Sequence, residues 1–115
     1  MNVLVIINGA AYGSELPFNA LRLAKTLTKR EGVELRVFLM GDAVVAAIDG
    51  QDLPEGYYHL DRMVRSVGRH AEVGCCGTCL DARGIADERL VEEALRSTMD
   101  QLADWTLEAD RIVTF

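Results

Sequence analysis

The chain has 115 residues, of which 50% are hydrophobic and 26% are charged, and this composition is typical of one soluble globular domain. The formal net charge of −6 disfavours binding to nucleic acid and to anionic membranes. No apolar run approaches the ~20 residues that span a bilayer, and no Lys or Arg precedes the apolar N-terminal segment. We therefore expect a cytoplasmic protein with one domain over residues 1–115, no membrane partner and no direct nucleic-acid partner.

The first half of the chain alternates strand and helix patterns. Residues 2–8 are apolar and largely β-branched, which is typical of a strand buried on both faces. Residues 17–30 carry a wide apolar stripe and predict a helix, and residues 33–40 predict a second strand. Asp42 is expected to cap one or two short helical turns. Residues 58–70 have apolar side chains at i, i+3, i+4 and i+7, which predicts another helix.

The second half continues the alternation and contains all the cysteines. Residues 71–76 predict a third strand, which places the cysteines at its C-terminal end. Residues 86–93 predict a short helix, and residues 94–97 predict a short fourth strand, although the latter also fit a continued helix. Residues 97–110 predict a helix with Ser97 as its cap. The buried stripe of that helix is expected at Met99, Leu102, Ala103 and Thr106.

The chain closes with a final strand at residues 111–115, and the whole order predicts the architecture. Strands that alternate with helices imply right-handed crossovers and a parallel sheet covered on both faces. The expected fold class is therefore α/β, with three αβα layers and a mainly parallel sheet of about five strands. In such sheets ligands gather beyond the carboxyl ends of the strands. The loops GAAYGSE (9–15) and CGTCLDARG (76–84) follow the first and third strands, and we expect them to face one another.

All three cysteines lie within five positions, at Cys75, Cys76 and Cys79. The thiolate is the reactive form of cysteine, and free backbone N–H groups near a helix start stabilise it. Arg83 follows a few residues later and is expected to add positive charge. Because Cys79 lies three residues after Cys76, it is placed to form a disulfide with it.

Several interpretations of the cysteine cluster stay open. The cysteines can be small buried core residues. Alternatively, one CxxC can bind zinc with Cys75, His59 or His70, within the chain or across subunits. A thioredoxin fold is disfavoured, because the motif lies past the middle of the chain and no proline follows Pro54. Two further function classes are a thiol-disulfide oxidoreductase that uses Cys76 and Cys79, and a non-catalytic oligomeric module that binds a ligand or metal.

Three segments together resemble the DsrE/TusD-like (DsrE/DsrF-like) sulfur-relay family. They are AAYG after the first strand, CGTCLDARG after the third and the closing ADRIVTF, and the resemblance runs from residue 2 to 115. It implies a small α/β domain that forms homo-oligomers, trimers or hexamers, and carries sulfane sulfur as a cysteine persulfide. It also implies a rhodanese-like or cysteine desulfurase donor and a thiol acceptor protein. We expect no cofactor and no resident metal.

The resemblance also assigns residues. In the tRNA-thiolation branch the active cysteine lies eight residues before the glycine of the Arg-Gly pair, which is Gly84 here, so Cys76 is the expected sulfur carrier. The branch lacks the CxxC partner that Cys79 provides here. Cys76, Cys79 and Arg83 are the expected catalytic residues of a sulfurtransferase. The expected substrate-binding residues are Tyr12, Gly77, Thr78 and Asp81.

Overall fold

Five strands and four α-helices alternate along the chain in the computed structural model, which describes all 115 residues. The strands are β1 (Asn2–Ile7), β2 (Glu34–Leu39), β3 (Glu72–Cys76), β4 (Ala94–Ser97) and β5 (Arg111–Thr114). The helices are α1 (Leu16–Leu27), α2 (Leu60–Gly68), α3 (Gly77–Ala82) and α4 (Met99–Glu108), with 3-10 helices at Gly41–Ala47 and Asp87–Arg89.

The strands form one fully parallel sheet in the order β4-β3-β2-β1-β5. From β1 to β4 the chain always steps to the next strand in one direction, and right-handed crossovers then place α1, α2 and α3 on one face. The step from β4 back to β5 runs the other way, so α4 crosses the opposite face. The predicted three-layer α/β fold with about five strands is confirmed.

The core is a cluster of 28 buried apolar residues between the sheet and its helices. β2 is the central strand, with β1 and β3 on either side of it, and β1 and β2 contain fully buried residues such as Val5 and Val37. On the α4 face, the Trp105 ring meets Phe38 edge-on with 6.2 Å between ring centroids. Each large apolar side chain buried in this way stabilises the fold by about 1.5–3 kcal/mol. No helix is both long enough and apolar enough to cross a bilayer.

The segment before β4 differs from its prediction. Residues 86–93 do not form a helix beyond the single 3-10 turn Asp87–Arg89. Leu90 pairs with Ile48 in an antiparallel bridge, and the Val91 N–H donates to the Ala47 carbonyl at 2.8 Å. Both apolar side chains are buried, so long-range pairing replaces the local helix. The predicted strand at residues 94–97 is confirmed as β4.

The start of α4 also differs from the sequence prediction. Ser97 is the last residue of β4, and Thr98 is the cap, because its Oγ1 accepts a hydrogen bond from the Gln101 N–H at 3.1 Å. Of the four residues predicted for the buried stripe, Leu102 is buried, and it forms the stripe together with Trp105. Met99, Ala103 and Thr106 are exposed.

Asp42 does not cap the 3-10 helix Gly41–Ala47, whose first turn has no side-chain cap. Its carboxylate instead forms an ion pair with Arg83, 41 residues later in the chain. The segment that follows β2 is therefore tied to the end of α3.

Candidate functional site

The three cysteines lie where β3 ends and α3 begins. Cys75 and Cys76 are consecutive strand residues, so their side chains point to opposite faces of the sheet. Cys75 is fully buried in the core. Burial, with the charges of Cys76 and Asp87, raises the pKa of the Cys75 thiol from 9.0 to about 12. Cys75 is therefore a packing residue in this arrangement.

An open cleft of about 390 Å³ lies at the carboxyl edge of the sheet, next to the start of α3. Five of the predicted site residues line it, namely Cys76, Gly77, Thr78, Cys79 and Asp81. Sequence reasoning missed the rest of the lining, which consists of Met40, Arg96, Ser97, Thr98 and Met99. These residues come from the ends of β2 and β4 and from the start of α4, so their approach to the cysteines depends on the strand order.

Cys76 lines this cleft but is only 5% exposed. Burial, followed by a hydrogen bond between the Cys76 and Cys79 side chains, raises the pKa of the Cys76 thiol. The backbone N–H groups of Cys79 and Thr78 act in the opposite direction, because they stabilise the thiolate at the helix start. The N–H groups that were predicted from the sequence are present, but burial outweighs their effect on the pKa of the Cys76 thiol.

Cys79 is half-buried and lies one turn into α3. Its Sγ accepts a hydrogen bond from the Gly41 N–H at 3.1 Å, which links α3 to the segment after β2. All three thiols are free. The cleft therefore holds two neighbouring thiols, of which Cys79 is the more exposed and Cys76 the more enclosed.

Arg83 does not line the cleft and does not contact Cys76. Its Nε and Nη2 donate to Asp42 Oδ1 at 2.9 and 2.6 Å, and its Nη1 donates to the Cys79 carbonyl at 3.0 Å. The guanidinium charge is thus largely balanced by a carboxylate. Arg83 holds the end of α3 in place rather than supplying charge to the Cys76 thiol.

The cation that does line the cleft is Arg96, on β4. Its guanidinium donates to Asp81 at 2.7 Å and to Asp87 at 3.2 Å, and both contacts raise its pKa. Asp81 therefore orients Arg96 and not Arg83. A Cβ at Gly77 would lie 3.0 Å from the Arg96 Nε, so the glycine lets the guanidinium lie against the start of α3.

Tyr12 lies away from the cleft, in contrast to the prediction. β1 and β3 are separated by β2, so the segment after β2 lies between the two loops that were expected to face each other. The Tyr12 hydroxyl donates to Gln51 and accepts the Leu60 N–H at 2.9 Å, and its ring stacks on Tyr58. Burial is the largest cause that raises its pKa. Tyr12 has a φ of 62°, an unusual value for a residue with a side chain.

Neither histidine shares the cleft with the cysteines. His59 precedes α2 and His70 follows it, and neither lines the cleft. No three His, Cys, Asp or Glu side chains come together in a geometry suited to a metal ion.

The fold and the cleft together define a small α/β protein with a parallel sheet and a pair of thiols at its carboxyl edge. The profile of the DsrE/DsrF-like family matches residues 1–115, and the chain belongs to this family. The family resemblance predicted from the sequence motifs is therefore confirmed.

Relatives of similar length extend this result. Protein YchN of Escherichia coli K12 is 42% identical over 114 residues, which cover 98% of this chain and 97% of YchN. An uncharacterized protein of Methanopyrus kandleri is 35% identical over 113 residues, which cover 98% of this chain and 93% of that protein.

Two solved structures are similar in fold. The crystal structure of YchN from E. coli superimposes with a TM-score of 0.93 at 42% identity, over 100% of this chain and 99% of that one. A protein of unknown function from Methanobacterium thermoautotrophicum has a TM-score of 0.75 at 14% identity, over 99% of this chain and 98% of that one, which shows the fold alone.

Proposed function

We propose that this protein is a sulfur-relay protein that carries sulfane sulfur as a persulfide on Cys76, in a reducing compartment such as the cytoplasm. Membership of the DsrE/DsrF-like family supports this role. The observation that carries the proposal is the position of Cys76 at the end of β3, where its thiol lines an open cleft beside a second thiol. The cleft allows the sulfur of another protein to approach.

In the loading step, the Cys76 thiolate attacks the outer sulfur of a donor persulfide. The bond between the two donor sulfurs breaks, a new bond joins the outer sulfur to Cys76, and the donor leaves as a thiolate. A rhodanese-like protein or a cysteine desulfurase is the expected class of donor. In the unloading step, an acceptor thiolate attacks the outer sulfur of the Cys76 persulfide, and Cys76 leaves as a thiolate. Neither step needs an external oxidant or reductant.

The helix start supplies the groups that stabilise sulfur anions in both steps. The backbone N–H groups of Thr78 and Cys79 interact with the Cys76 sulfur. A persulfide is more acidic than a thiol because its charge lies on a larger, more polarisable group, so the same donors hold the loaded anion. Because its pKa is raised, the Cys76 thiol is mostly protonated at neutral pH before it is loaded with sulfur.

A second candidate function, persulfide reduction, follows from the contact between the two thiols. The Cys79 thiolate attacks the inner sulfur of the Cys76 persulfide, expels hydrosulfide and leaves a Cys76–Cys79 disulfide. Atoms and electrons balance, because the outer sulfur is reduced to hydrosulfide while the two thiols are oxidised to the disulfide. An external dithiol would then be needed to regenerate the protein.

Mass spectrometry of intact protein and of peptides, after incubation with a persulfide donor, tests the proposal. Sulfur relay predicts an adduct of about 32 Da, one sulfur atom, on Cys76 in the wild type and in Cys79→Ser. The Cys76→Ser variant should carry no adduct, since a hydroxyl cannot hold a persulfide. Persulfide reduction instead predicts a disulfide and released sulfide in the wild type, with the adduct stable only in Cys79→Ser. Full sulfur transfer by Cys76→Ser would refute both mechanisms.

We also propose that the chain forms a homo-oligomer, a trimer or hexamer. The outer strands β4 and β5 leave their outer edges unpaired, and Leu95 and Ile112 on them are exposed apolar residues. Such edges are normally covered in native proteins. Native mass spectrometry tests this: a monomer of 12.7 kDa at micromolar concentration would contradict it.

A further inference from the structure

The charges of this protein are strongly segregated. Residues 16–30 and 60–70, which contain α1 and α2, hold seven of the twelve Lys and Arg residues and one of the eighteen Asp and Glu residues. That one carboxylate, Asp61, is buried and accepts hydrogen bonds from the Gln51 and Arg62 N–H groups. The α1–α2 face is therefore positive although the whole chain has a net charge of −6.

A groove of about 400 Å³ runs between α1 and α2 on this face. Leu21 and Met63 supply its apolar lining, and Arg22, Lys25 and Arg62 supply cations from both helices. No carboxylate lines the groove. It thus combines an apolar floor with positive walls, and it is separate from the cleft at Cys76.

The three cations of the groove are not neutralised within the chain. None of them forms a salt bridge, whereas Arg36, Arg65, Arg83 and Arg96 all do. Arg22 donates to the Asn19 side chain at 3.1 Å and lies over the Phe18 ring, and Lys25 donates to the Ser66 hydroxyl. These contacts with uncharged groups orient the cationic side chains but do not neutralise them, so they can still pair with an anion.

We propose that the α1–α2 groove binds a short acidic, amphipathic segment of a partner protein. The carboxylates of that segment pair with Arg22, Lys25 and Arg62. Its apolar side chains contact Met63, since Leu21 lines the groove but is fully buried. The size of the patch favours a short segment over a nucleic acid. α1 has 12 residues and is about 18 Å long, and seventeen of the eighteen carboxylates lie outside the two basic segments, where they repel a longer polyanion. The proposal holds whether or not Cys76 carries sulfur.

The test is fluorescence anisotropy with a labelled helical peptide of about 14 residues that carries Glu at i, i+4 and Leu on the adjacent face. Its neutral counterpart has Gln in place of each Glu. The acidic peptide should bind the wild-type protein saturably, and the Gln peptide should not. Binding should weaken as salt rises from about 0.05 to 0.3 M, because the Debye length then shortens.

Two triple variants with the same change of net charge distinguish binding in the groove from a general electrostatic attraction to the protein. Arg22→Gln/Lys25→Gln/Arg62→Gln removes the groove cations. Lys29→Gln/Arg30→Gln/Arg69→Gln removes three exposed cations of the same two segments that do not line the groove. The groove variant should weaken peptide binding about tenfold or more, and the control variant by less than about threefold.

Thermal unfolding of both variants checks that each is folded. The proposal is overturned if the wild type does not bind the acidic peptide, if the Gln peptide binds equally, or if both variants lose the same affinity. Tighter binding of a short RNA duplex than of the peptide also overturns it, because the face would then be a nucleic-acid site.

Discussion

At the scale of single residues, three cysteines within five positions have three different environments. Cys75 is sealed in the core, Cys76 lines the cleft with little exposure, and Cys79 is half-buried and accepts the Gly41 N–H. Chemical reactivity follows these environments rather than the shared sequence motif, because the thiolate is the reactive form and burial disfavours it.

The raised pKa of Cys76 predicts how its alkylation depends on pH. Because the pKa lies above the ordinary value of 9.0, little thiolate exists at neutral pH, and the reaction rate should rise through the alkaline range with a midpoint above 9.0. In Cys79→Ala the side-chain hydrogen bond to Cys76 is removed, so the midpoint should fall while burial keeps it raised. Iodoacetamide labelling across a pH series, followed by peptide mapping, measures both midpoints.

Two results would contradict this account of Cys76. One is a midpoint well below 9.0 in the wild type, which would mean that the helix-start N–H groups outweigh burial. The other is a midpoint that Cys79→Ala leaves unchanged. Cys75 serves as the internal control, since it should stay unlabelled until the protein unfolds.

At the scale of elements, the start of α4 depends on where β4 ends. Ser97 and Thr98 both carry a hydroxyl suited to capping, and local sequence does not distinguish them. Pairing of Cys76 with Ser97 keeps Ser97 in the sheet, so the cap moves to Thr98. The pairing of β4 with β3 thus moves the cap of α4 by one residue, from Ser97 to Thr98.

Thr98→Ala and Ser97→Ala test the cap directly. Thr98→Ala should lower the free energy of unfolding by about 1 kcal/mol, because the Gln101 N–H loses its acceptor. Ser97→Ala keeps the Cβ that lies against Gly74 and should change stability by less than about 0.5 kcal/mol. Urea denaturation measures both. Equal losses would contradict the assignment of the cap to Thr98, and a larger loss for Ser97→Ala would assign it to Ser97.

At the scale of the whole molecule, one core stabilises the sheet, and the surface divides into regions of opposite charge. Cys75 belongs to that core and gives the global stability a pH dependence. Below pH 9.0 its thiol is protonated in both the folded and the unfolded chain. As the pH rises from 9.0 towards about 12, the unfolded chain releases this proton first, so the free energy of unfolding falls.

Cys75→Ala should therefore change how the free energy of unfolding falls at alkaline pH. At neutral pH the variant should be less stable by about 1 kcal/mol, because a buried sulfur atom is lost. Above pH 9.0 this thiol lowers the free energy of unfolding of the wild type by up to about 1.4 kcal/mol per pH unit. The stability difference between the wild type and the variant should therefore shrink or reverse. Urea denaturation at about pH 7 and pH 11 measures the difference, and a constant value would show that Cys75 does not drive the effect.

The sequence did not predict α3, because residues 76–84 were expected to form a loop. It did determine the order of the strands and of α1, α2 and α4, the parallel α/β class, the family and the place of Cys75 and Cys76 at the end of β3. These features follow from local apolar periodicity and from motifs that are contiguous in the chain. The prediction of a helix at residues 86–93 was wrong, because a local pattern does not register the pairing of Leu90 and Val91 with residues 47 and 48.

Only the tertiary structure decided which side chains share the cleft. The strand order puts β2 between β1 and β3, which turns Tyr12 towards α2, pairs Arg83 with Asp42, and brings Arg96 beside Gly77. The contacts of Tyr12 and Arg83 join residues about 40 or more positions apart, and Arg96 approaches Gly77 only because β4 pairs with β3. Such contacts depend on how crossovers place whole elements, and the apolar pattern of each segment is the same whichever neighbour it receives.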